Sequence, residues 1–109
     1  MSYYVAGSGS ISFKEEIASE MKSLFSERLY DIEYLAMCVE TENELSVRFY
    51  DYHYNDQFES FLPTIADKID EGYIECDGQD GEFWKLEFDN GKWKSYNGIK
   101  TYDKCGYEI

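Results

Sequence analysis

Hydrophobic and polar positions follow a period of two, then a helical period, twice over, before period two returns. From residue 3 to 13, Tyr3, Val5, Gly7, Gly9, Ile11 and Phe13 share one face, and Tyr4, Ala6, Ser8, Ser10 and Ser12 share the other. That is the alternation of a half-buried strand, and its glycines predict a bulge or the close approach of a helix. Ser12 and Glu15 have capping-box spacing, so a helix is expected from about Lys14 to Arg28. Ile17, Met21, Leu24 and Phe25 form its inner stripe, and Glu15, Glu16 and Glu20 complement its positive end.

Two strands come next. Tyr30 to Glu40 is apolar on both faces, Glu44 to Tyr54 alternates Leu45, Val47 and Phe49 with Ser46, Arg48 and Tyr50, and residues 41–43 make the turn. Asn55 is placed to cap a second helix that buries Phe58, Phe61, Leu62, Ile65 and Ile69. Pro63 lacks an amide donor, so a kink or a restart is expected there.

From Glu71 to Tyr102 the pattern is an antiparallel meander, with Trp84, Leu86 and Phe88 on one face of a strand and Lys85 and Glu87 on the other. Asn-Gly between alternating residues favours the type I′ turn, which needs positive φ at both central positions. Asn90-Gly91 and Asn97-Gly98 are each expected to reverse the chain, and Asp77 to Gly81 to make a looser turn. The order strand, helix, strand, strand, helix, strand predicts one α+β domain over residues 1–109. Its expected core is a ferredoxin-like βαββαβ unit with both helices on one face, extended by C-terminal hairpin strands.

Charge changes the picture more than composition does. Acids number 23 against 10 bases, a net of −13. The segment from Asp56 to Asp89 holds most of that excess, with Lys68 and Lys85 as its only cations. Such a field repels nucleic acid and anionic lipid and attracts basic protein surfaces. No apolar run is long enough to span a bilayer, and no leader pattern is present, so a cytoplasmic location in a bacterial host is expected. Cys38, Cys76 and Cys105 match no zinc spacing and fit reduced thiols.

Catalytic signatures are missing. His53, the one histidine, stands beside Asp51 but without a nucleophile at a diagnostic spacing or a second histidine. Asp77 to Glu82 does not fit an EF-hand loop, and Gly7-Ser8-Gly9 lacks the Gly-Lys of a phosphate cradle. Tyr50, Tyr52 and Tyr54 suggest an RNA-stacking face, but the acidic balance opposes phosphate. The expectation is therefore no enzyme, no cofactor, no metal and no direct nucleic-acid binding. Carboxylates interleaved with tyrosine and tryptophan suit protein recognition instead.

In size, charge and its acidic-aromatic meander (Tyr73 to Glu75, Asp77 to Phe83, Asp89 to Trp93), the chain resembles small acidic anti-CRISPR and other anti-defence proteins of phages and mobile elements. The resemblance implies a stoichiometric inhibitor of a defence nuclease, a Cas effector for example, that places carboxylates where DNA phosphates would engage. The acids expected to meet such a basic surface are Asp56, Glu59, Asp67, Asp70, Glu71, Glu75, Asp77, Asp80 and Glu82, with Tyr52, Tyr54 and Trp84 as anchors. The protein would act as a monomer or dimer. An immunity protein against a cationic toxin would use the same electrostatics, and a ligand pocket around His53 is a third reading.

Overall fold

A computed structural model of the protein describes residues 4–98. It is an α+β structure with one six-stranded antiparallel sheet and two helices. The elements are β1 (Val5–Phe13), α1 (Ala18–Arg28), β2 (Tyr34–Thr41), β3 (Glu44–Asp51), α2 (Gln57–Phe61) with a 3-10 continuation (Leu62–Lys68), β4 (Ile69–Gly78), β5 (Phe83–Asp89) and β6 (Lys92–Gly98). Strands lie in the order β2-β3-β1-β4-β5-β6, so the last two extend the sheet beyond β4.

Register puts the apolar positions of neighbouring strands on one side. Gly7 faces Phe49 on β3 and Cys76 on β4, and Ile74 faces Leu86 on β5. This alternation is buried, and it joins Met21 and Phe25 of α1 with Phe58 and Phe61 of α2 in a single core cluster. Phe25, Phe49 and Phe58 lose nearly all contact with solvent. Each such ring contributes about 1.5–3 kcal/mol through burial. Phe25 and Phe61 meet edge to face at 5.1 Å, locking α1 against α2.

Several local expectations are corrected by the sheet. Helix α1 starts at Ala18 after an Ile17 N-cap without a side-chain bond, so Ser12 and Glu15 form no capping box. The reason is that Phe13 N–H bonds Asn43 and Lys14 N–H bonds Lys68, which holds the chain extended past the predicted start. Of the three acids, only Glu20 lies in the first turn. The N-cap of α2 is Asp56, at φ 58°, while Asn55 gives its N–H to the Gln57 side chain. Pro63 does restart the helix, as a 3-10 segment. Ile69 is buried but belongs to β4.

Asn90 and Gly91 both have positive φ, as a type I′ turn requires. Asn97 and Gly98 instead lie within β6, opposite Trp84 and Phe83, and neither takes the positive φ of a type I′ turn. Residues 99–109, with Tyr102 and Cys105, lie outside the described residues. The β1 glycines accommodate neither a bulge nor a helix. A Cβ on Gly7 would sit 2.3 Å from the Phe49 ring, and one on Gly9 would sit 1.9 Å from the Tyr73 carbonyl oxygen. The register shift comes later, between Ser12 and Phe13, where Asp70 is the extra residue on β4.

Candidate protein-docking face

The second alternation of the sheet contains no buried residue. On β1 it consists of Ala6, Ser8, Ser10 and Ser12, all small, between taller side chains on β3 and β4. Over strands β2, β3, β1 and β4 it carries Glu40, Glu44, Glu71, Glu75 and Asp77 against the single cation Arg48. Lys85 on β5 is drawn to Glu87, at 3.6 Å.

Tyrosines gather at one corner of this face. Tyr34 stacks on Tyr50 with ring centres 4.9 Å apart and planes 17° apart. Tyr52 meets Tyr4 at 4.9 Å and Tyr50 at 6.1 Å. Tyr34, Tyr50 and Tyr52 remain 44, 38 and 54% exposed, and Tyr73 further along is 41% exposed. Contiguous exposed aromatic surface of this kind is typical of recognition sites, where rigid rings give area at low entropic cost. The Tyr52 N–H is fixed by Glu33, which orients the end of the cluster.

The sequence-selected residues do not share one surface. Glu71, Glu75 and Asp77 lie on the exposed sheet face, with Tyr52 at its tyrosine corner. Asp80 and Glu82 mark the β4–β5 turn, which is closed by Gly78 N–H on the Glu82 carbonyl and by Asp80 N–H on the Glu82 side chain. Asp67 lies in the last turn of the 3-10 segment and Asp70 is the bulge residue, both exposed at the other end of the sheet. Asp56 is exposed at the start of α2.

Three of the expected contact residues are committed inside the molecule. Tyr54 is 8% exposed, because β3 ends at Asp51 and the chain turns inward before the tyrosine alternation continues. The Tyr54 hydroxyl and the Trp84 indole N–H both donate to the Glu59 carboxylate, tying α2 to β5. Burial first, and then the Glu59 charge, push the Tyr54 hydroxyl pKa well above the ordinary tyrosine value. Burial likewise raises the thiol of Cys76, helped by Glu59 and Asp77. These are internal struts.

Sequence reasoning missed Tyr4, Tyr34 and Tyr73 as exposed-face rings. A strand face made only of small residues was visible in Ala6, Ser8, Ser10 and Ser12, and it signals a floor between higher walls. Which walls flank it depends on β1 pairing with β3 and β4, and that is a tertiary fact.

Asp51 is buried and accepts the backbone N–H of His53 and the Gln57 amide, while the side chain of His53 is exposed. No cluster of three or more His, Cys, Asp or Glu among the described residues is arranged to hold a metal ion. Among the described residues no helix is long and apolar enough to cross a membrane. No protein-family model, curated protein or solved structure matches the chain.

Proposed function

We propose that the protein is a non-enzymatic, acidic inhibitor that occupies the basic nucleic-acid-binding surface of a bacterial defence nuclease. The observation that carries this reading is the sheet face that no described element covers, where carboxylates alternate with exposed tyrosines. The strand order β2-β3-β1-β4 is that of a ferredoxin-like core, and we read both helices as backing its buried face. Arginine forks grip carboxylate much as they grip phosphate, so fixed acids on a rigid sheet stand in for a DNA backbone. Rigidity matters because a flexible acidic tail would lose ordering entropy on docking.

The test is a cleavage assay with a purified RNA-guided nuclease complex or other DNA-cutting defence complex of the host. Inhibition should saturate near one inhibitor per nuclease and weaken as salt rises. The inhibitor alone should bind neither DNA nor RNA. Glu71→Lys with Glu75→Lys should relieve inhibition, while Glu15→Lys with Glu16→Lys should leave it near wild type. Tight direct binding to nucleic acid, or turnover at sub-stoichiometric ratios, would overturn the reading. Neutralisation of a cationic toxin with no effect on any nuclease would replace it with an immunity role.

A further inference from the structure

The exposed face has relief as well as charge. Its small-residue floor forms an open trough of about 410 Å³, with Ser8, Ser10, Cys38 and Ser46 below and Tyr34 and Tyr73 at its ends. A second trough of about 590 Å³ continues past Tyr73, shares Ser10 with the first, and is rimmed by Glu44, Glu71, Glu87 and Asp89.

Hydrogen bonding fixes what the floor presents. The Ser10 hydroxyl donates to Glu44 at 2.9 Å, and the Ser46 hydroxyl donates to Glu40 at 2.8 Å. Both protons point at carboxylates, so the two oxygens meet an incoming group as acceptors. The tyrosine walls add the electron-rich faces of their rings. Acceptors, negative charge and aromatic faces together are complementary to a flat cation.

We propose that this trough receives an arginine side chain carried on a segment of the protein partner. The inference rests on the inhibitor reading above and specifies its contact. Charge complementarity selects the occupant. A phosphate would meet the carboxylates of Glu44 and Glu71, whereas a guanidinium stacks on Tyr73, which lies opposite Ser10, and reaches the Ser10–Glu44 pair with its fork. Lysine offers no plane to stack and no fork. Arg48, the one cation in the first lining, makes the arginine enter from the Tyr73 side, away from like charge.

The experiment titrates isotope-labelled protein with the peptide acetyl-Arg-Gly-Arg-Gly-Arg-amide, followed by backbone amide NMR, with lysine and citrulline versions as comparisons. The arginine peptide should give saturable shifts at Ser10, Ser46 and Tyr73. It should bind about threefold or more tighter than the lysine peptide, and the citrulline peptide should not bind. Glu40→Gln with Glu44→Gln should weaken binding by about fivefold or more, whereas Asp80→Asn with Glu82→Gln should change it less than about twofold. Where the first double variant loses its dispersed spectrum, Tyr73→Leu gives the same comparison, since it removes only an exposed-face ring. Shifts centred on the β4–β5 turn, equal binding of the lysine peptide, or no saturable shifts would reject the trough. The nuclease assay decides the inhibitor reading separately: inhibition that survives Glu40→Gln with Glu44→Gln would leave that reading standing without this contact.

Discussion

Trp84 donates its indole N–H to one oxygen of Glu59, and Tyr54 donates its hydroxyl to the other, so a single carboxylate couples β5 to α2. Removing the acceptor leaves a buried hydroxyl and a half-buried indole without their partner. Glu59→Ala should cost about 2–4 kcal/mol in urea unfolding, because each stranded donor carries its own desolvation penalty. Glu59→Gln keeps an acceptor and should lose less than half of that. A Glu59→Ala midpoint equal to wild type would show that the strut contributes nothing. Any charge-reversal scan of the acidic surface should therefore treat loss of function at Glu59 as loss of folding.

Gly9 is a test of close packing. Its missing side chain lets β4 approach, and a Cβ would lie 1.9 Å from the Tyr73 oxygen and 2.8 Å from the Ile74 Cα. Both are backbone atoms of a central strand and cannot swing away. Gly9→Ala should destabilise by about 3 kcal/mol or more. Gly81, at φ 91° with open space around it, should cost only about 1–2 kcal/mol on the same change, all of it conformational. Thermal melts of the two variants give the comparison, and equal shifts would contradict it.

Stability should fall in mild alkali. Cys76 and Tyr54 are both neutral at pH 7, and burial raises both pKa values in the folded state. As pH rises, the unfolded chain therefore loses these protons first, the folded state binds more protons, and stability declines. It should be fully present below the ordinary thiol value of 9.0 and fall progressively above it. Cys76→Ala should flatten the first part of the decline, and Tyr54→Phe the part that begins near 10.0. Melting temperature against pH for the three proteins checks both.

Cys38 should alkylate slowly although it is exposed. A hydrogen bond with Glu40 and then the Glu40 charge raise its pKa, which lowers the thiolate fraction. Glu40→Gln should speed its reaction with iodoacetamide at pH 8, and Cys76 should stay unreacted in the folded protein. An unchanged rate would mean that Glu40 does not control the thiol.

Alternation and helical spacing are local properties, and they carry the α+β class, the strand faces and the Asn90-Gly91 turn. Each is decided by side chains within a few positions of one another. The same logic failed where a distant segment outweighed the local signal. Lys68 and Asn43 hold residues 13 and 14 extended, overriding the Ser12 capping box. Pairing with β5 keeps Asn97 and Gly98 in strand β6, against their turn preference.

The sequence by itself determined the charge, the absence of a catalytic motif and the two-faced strands, since these need only residue type and spacing. Tertiary structure decided which acids and aromatics stay on the surface. Glu59, Tyr54 and Trp84 read as contact residues because carboxylates and large amphipathic rings favour interfaces. Folding brings them together from positions up to 30 residues apart, where they satisfy one another. Tyr34, Tyr50 and Tyr73 stay exposed for the converse reason: no described element covers the sheet face on which the register puts them.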